Sequence, residues 1–157
     1  MKNKFFMLIC ATLLCGAVSA QKITLDKVPA PVASAFKSKY PAVTHANWMM
    51  ENGGKNYAAE FMVNTSRQTA SFNPAGGWLK TDTSIKTTEI PAPVKETITK
   101  QFTGYTIGSA SKMENADHGT GFDVELAKGK DIVDVTLSAK GVVMSQEPRQ
   151  ADPVKTN

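Results

Sequence analysis

The chain repeats itself. Val28-Pro29-Ala30-Pro31-Val32 recurs as Ile90-Pro91-Ala92-Pro93-Val94, sixty-two residues later. The match continues as Phe36 with Ile98 and Tyr40 with Phe102. Further on, Tyr57–Phe61 aligns with Phe122–Leu126, and Phe72–Gly76 with Leu137–Gly141, now sixty-five residues apart. Self-similarity at a fixed spacing restricts the fold to two related supersecondary units. The three extra residues of the second copy fall near Asn115–Gly121, a loop-like stretch.

Each copy opens on a helical pattern. Val32, Phe36 and Tyr40 recur every four residues, and Ala33 and Ala35 widen the apolar face. Pro31 suits a first helical turn, whose N–H groups lack intrahelical partners, and Pro41 disfavours helical geometry at Tyr40. In the second copy Val94, Ile98 and Phe102 repeat the spacing and Gly104 offers the exit. Strands follow. Tyr57, Ala59, Phe61 and Val63 alternate with Ala58, Glu60 and Met62, and Phe122, Val124 and Leu126 alternate with Asp123 and Glu125. Val133, Val135 and Leu137 alternate with Asp134 and Thr136, matching the weaker run 67–72, and last strands fall near 78–83 and 142–146. First strands lie around 44–50 and 106–113, where the alternation is broken. The expected fold is α+β, a tandem repeat of a helix plus a four-stranded antiparallel meander. The repeats occupy 28–89 and 90–147, after a lead-in at 21–27 and before a flexible polar tail at 148–157. A unit of this size is marginal alone, so the halves are expected to form one compact body, with the joining edges left open.

The first twenty residues read as a signal peptide cleaved after Ala20: Lys2 and Lys4, an apolar run from Phe5 to Val18, and a small residue at the end. That run is shorter than the ~20 residues of a membrane span, and no stable membrane insertion is expected. Both cysteines, Cys10 and Cys15, lie inside it, so the processed chain would carry no disulfide, thiolate metal site or redox pair. Leu14 argues against lipidation at Cys15, because a small residue normally precedes a lipidated cysteine. The net charge is +4, and it falls to +2 once Lys2 and Lys4 are set aside. The remaining charges alternate in sign with no basic block, which excludes a nucleic-acid partner.

The order V-P-A-P-V-x-x-x-F-x-x-x-Y-P (Val28–Pro41), a strand bearing Trp48, Y-x-A-E-F (Tyr57–Phe61) and F-N-x-x-G-x-W-L-K-T (Phe72–Thr81) resembles the PepSY-like family. Its members are described as β-lactamase-inhibitor-like proteins of the envelope of Bacteroides-type bacteria. The resemblance spans nearly all of the processed chain. It implies a fold similar to the β-lactamase inhibitor protein, whose helix-free sheet face grips its target, and it implies no catalytic residues. This chain departs from that inhibitor in lacking a disulfide and any match to an inhibitory loop. The likeness therefore favours binding over inhibition of any particular enzyme.

Catalytic patterns are missing. His45 and His118 do not correspond between the copies, and zinc would want three or four close ligands. There is no G-x-S-x-G, and no phosphate loop of the G-x-x-x-x-G-K type. Glu60 and Glu125 hold equivalent positions, but as a catalytic pair they would need to lie ~5 Å apart, whereas equivalent strands sit several ladder steps from each other. A solvated face is the expected home of both. Core burial is favoured for Trp48 and Trp78 taken singly, yet Gly76-Gly77 leave the facing of Trp78 open.

These readings converge on a periplasmic or secreted binding module rather than an enzyme, with no cofactor and a protein partner in the envelope. Its working surface would be the helix-free sheet face: Asn47, Met49, Ala58, Glu60, Met62, Thr69, Ser71, Trp78, Asp123, Glu125, Asp134 and Thr136. The alternative is a protein that handles a small ligand or a metal in the cleft between the repeats. The sequence leaves the identity of the partner and the oligomeric state open.

Overall fold

A computed structural model describes residues 21–117 and 119–150. The expected signal segment, His118 and residues 151–157 lie outside it. The chain forms β1 (Gln21–Ile23), α1 (Ala30–Lys39), β2 (Asn47–Glu51), β3 (Asn56–Val63), β4 (Ser66–Phe72) and β5 (Trp78–Ile85). It continues as α2 (Ala92–Gln101), β6 (Thr106–Asn115), β7 (Gly119–Lys128), β8 (Asp131–Ser138) and β9 (Val143–Gln150). Short 3-10 turns precede both helices, at Leu25–Lys27 and Thr87–Glu89.

The expected tandem of helix-plus-four-strand units is corrected here. All nine strands belong to a single antiparallel sheet in sequence order, β1 to β9. The division fails at β5 and β6, which pair from Lys80↔Asn115 to Ile85↔Ala110 although α2 intervenes in the chain. Each would otherwise be an open edge with unpaired backbone groups. A ninth strand, β1, comes from the lead-in and pairs Ile23 with Trp48. The three extra residues lengthen a hairpin instead of forming a loop: Asn115 pairs with Gly119, and β6 and β7 run ten residues each. β9 pairs through Pro148 and Arg149, beyond the expected start of the tail.

Both helices lie on the same face of the sheet. Residues directly opposite across a ladder point the same way, and one row runs Phe61, Gln68, Thr83, Lys112, Phe122 and Leu137. Its two ends belong to separate hydrophobic clusters. Under α1, Val32 and Phe36 pack with Trp48, Ala59, Phe61, Ala70 and Phe72. Phe36 is the hub, with edge-on ring contacts to Trp48 at 5.1 Å and Phe61 at 5.2 Å. Such pairs add about 0.5–1.5 kcal/mol beyond burial. Under α2 the core is mostly aliphatic: Val94 and Ile98 on Val124, Leu126, Val135 and Leu137. Between the two clusters this face carries Thr81, Thr83, Lys112 and Glu114, the last two joined by a 2.8 Å ion pair.

The start of each helix is seated on a turn of the sheet. At Gly76 (φ +85°) and Gly141 (φ +80°) an added Cβ would meet the carbonyl oxygens of Pro31 and Pro93, at 2.6 and 2.4 Å. The Thr97 hydroxyl also donates to the Gly141 carbonyl, at 2.7 Å. At the other end Tyr40 caps α1, its N–H bonded to the Phe36 carbonyl. Its phenol meets the Thr81 hydroxyl at 2.5 Å. Burial raises the Tyr40 pKa, against the opposing effect of the Thr81 hydrogen bond.

Candidate functional site

The opposite face carries neither helix. Its rows follow from the ladder: Asn47, Glu60, Thr69, Asp82 and Met113 in one, and Met49, Ala58, Ser71 and Lys80 in the next. In the second half, Ser111, Asp123, Thr136 and Ser145 form a row, and Ser109, Glu125, Asp134 and Glu147 another. Asn47, Met49, Glu60, Met62, Thr69, Ser71, Asp123, Glu125, Asp134 and Thr136 therefore all share the expected face. Ala58 and Ser71 share it too but are buried beneath their neighbours, while Met62 is 55% exposed.

Trp78 does not belong there. The ladder shifts at Ser71/Phe72, whose partners are Lys80 and Trp78, so Leu79 is the extra residue of a bulge. That residue turns Trp78 to the helix side, where it packs against the α1 cluster and donates from Nε1 to the Thr81 hydroxyl at 2.9 Å. The ammonium of Lys39 covers its ring at 4.0 Å. Trp48 is core, 6% exposed. His45 lies in the loop ahead of β2 rather than on a strand.

Sequence reasoning missed Lys80, Asp82 and Arg149, which organise the polar groups of this face. Lys80 Nζ lies 2.8 Å from Asp82 Oδ2. Burial works against the Lys80 ammonium, but the hydrogen bond and charge of Asp82, with Asp123 and Glu51 beyond, outweigh it and raise its pKa. Burial also raises the Asp82 pKa, against the pull of Lys80 and with Asp123 adding to the rise. Asp82 Oδ1 is buried and has no hydrogen-bond partner. Nearby, Ser71 donates to Glu51 at 3.2 Å and Thr136 to Asp123 at 2.6 Å. Arg149 ties three strands together, pairing with Glu125 at 2.5 Å and Asp134 at 3.1 Å. A shallow groove of about 340 Å³ runs between Ser109, Ser111, Asp123, Glu125, Asp134 and Thr136.

Glu60 and Glu125 sit on β3 and β7, four ladder steps apart, or roughly 19 Å at ~4.8 Å per step. They do not act on one bond. Among the described residues, no group of three or more His, Cys, Asp or Glu side chains is arranged to hold a metal ion. The expected cleft between the repeats is closed at strand level, because β5 and β6 are hydrogen-bonded there.

The profile of the family described as "Putative beta-lactamase-inhibitor-like, PepSY-like" matches residues 55–145, more than half of the sequence. The chain belongs to this family. Solved structures place the PepSY-like chain in a fold known from Bacteroides. A DUF2874 family protein from Bacteroides uniformis superimposes with a TM-score of 0.70 at 18% identity, covering 76% of this chain and 88% of that one. A Bacteroides eggerthii protein described as one of the "putative periplasmic proteins" gives 0.70 at 20% identity, covering 77% and 88%. A "BLIP-like protein" from Bacteroides fragilis gives 0.65 at 20% identity, covering 82% and 92%. At these identities the likeness establishes the fold alone. A comparison with curated protein sequences finds no match.

Proposed function

We propose that this PepSY-like protein is a non-catalytic, periplasmic or secreted binding module whose helix-free sheet face docks a protein partner, acting on it as an inhibitor or regulator. The observation that carries the reading is the preorganised face itself. Its charges are held by Lys80–Asp82, Arg149–Glu125/Asp134 and Thr136–Asp123, and neither helix covers them. A broad surface of mixed polarity suits a protein better than a small molecule, which prefers a concave apolar pocket. The exposed Met62 adds an adaptable apolar contact at one end of it, and Met49, opposite Ala58, a second further along the strands. The name of the Bacteroides fragilis neighbour and the family description favour an inhibitor-like role, and the Bacteroides eggerthii description favours the periplasm.

The test is capture from envelope extract by the wild type, by Glu60→Arg/Glu125→Arg, and by Lys100→Glu on the outer side of α2. The sheet-face variant should lose whatever the wild type and the helix variant both retain. A folded Glu60→Arg/Glu125→Arg protein that captures the same partners as wild type would remove this face from the account.

A further inference from the structure

We infer that a second site, which meets the sheet face only at the edge residue Asn47, binds a fatty acid: a single acyl chain ending in a carboxylate. It is a cleft of about 790 Å³ at the first edge of the sheet, between α1 and the lead-in that carries β1. That volume lies within the roughly 300–1,000 Å³ typical of small-molecule sites. Its walls are apolar, formed chiefly by Ile23, Leu25, Ala33, Phe36, Val43 and Trp48. Leu25 stands at its mouth, 61% exposed. Lys37 and His45 line it, Lys22 borders it with its side chain on the helix-free face beside Met49, and no carboxylate lines it. An apolar trough with a rim of one sign fits a ligand with a hydrocarbon body and an anionic head.

The comparison with α2 shows how the two hollows differ: the counterpart beside α2 is also open, at about 600 Å³, but Lys95 lines it. The helices start sixty-two residues apart, so Ala33 holds on α1 the place that Lys95 holds on α2. Lys95 reaches across its own hollow and donates to the Thr88 carbonyl at 3.0 Å, bridging α2 to the turn that precedes it. Ala33 has no side chain long enough to make such a bridge.

The probe is dodecanoate below its micelle concentration, titrated into the protein by calorimetry, with dodecan-1-ol and dodecylamine as comparators. One saturable site for dodecanoate is expected, at least fivefold weaker for either comparator. Ala33→Leu, which fills the trough, should weaken dodecanoate at least tenfold. Lys37→Glu should weaken dodecanoate about fivefold and leave dodecan-1-ol unchanged. Leu25→Asp changes an exposed side chain, so it keeps the test informative if Ala33→Leu disturbs folding, and it should also weaken binding. Saturable binding that is absent, that is equal for the amine, or that is unaffected by folded Ala33→Leu and Leu25→Asp overturns the proposal. Self-association abolished by Leu25→Asp, with no uptake of dodecanoate, would assign the cleft to a second copy and overturn it equally. None of these variants touches the helix-free face, so this result and the capture result stand apart.

Discussion

Replacing Gly141 by alanine probes how closely α2 sits on the turn between β8 and β9. Two costs combine. An L-residue at φ +80° is left-handed, which costs about 1–2 kcal/mol. Its Cβ would also lie 2.4 Å from the Pro93 carbonyl oxygen and 3.0 Å from the Thr97 hydroxyl, so the helix start must move. Overpacking of that kind costs about 1–3 kcal/mol, for a total near 2–5 kcal/mol. Gly129 supplies the control, because it too is left-handed at φ +63° but an added Cβ would meet nothing within 4 Å. Gly129→Ala should lose only the conformational part, about 1–2 kcal/mol. Urea unfolding of both variants, followed by far-UV circular dichroism and read at a common slope, gives the difference directly. Gly76→Ala, facing the Pro31 carbonyl at 2.6 Å, should behave like Gly141→Ala. If Gly141→Ala falls within ~0.5 kcal/mol of Gly129→Ala, less than the ~1 kcal/mol that overpacking costs at least, the close helix–turn contact is not what the glycine is there for.

Two further outcomes follow from the polar face. The folded Asp82 carboxyl holds its proton more tightly than it does in the unfolded chain, so its contribution is full below ~3.9 and is lost as pH rises through the folded value. Asp82→Asn removes that slope, so its melting temperature relative to wild type should climb as pH rises above about 4; parallel curves would show that burial does not govern this group. Arg149 is about half exposed, and its pairs with Glu125 and Asp134 should be worth no more than ~1 kcal/mol. The loss in Arg149→Gln should shrink toward nothing in ~1 M salt, where charges are screened within ~3 Å. A loss that persists there identifies packing of the arginine stem instead.

Much of the local structure was legible because it rests on local rules. Pro31 and Pro41 bracket α1, and the alternation of Tyr57–Val63 and Val133–Leu137 gave those strands and their faces. The features that escaped depend on longer-range partners. β1 spans three residues, too few for a period, and forms only because Trp48 offers Ile23 an apolar neighbour. The pairing of β5 with β6 satisfies two edges more than twenty residues apart, and no residue of either strand announces it. Trp78 was misplaced because an extra residue at Leu79 inverts the alternation that would have located it. Arg149 was lost to the expected tail because Pro148 reads as a strand breaker, although the last strand of a sheet tolerates proline.

Two separate oily pools hang beneath one continuous ribbon of hydrogen bonds, and the ground between them is polar, carrying Thr83, Lys112 and Glu114. Loss of one pool leaves the other with its own helix, so opening is free to proceed half by half, with the β5–β6 ladder as the join. Amide exchange on those two strands reports whether the halves melt together or apart.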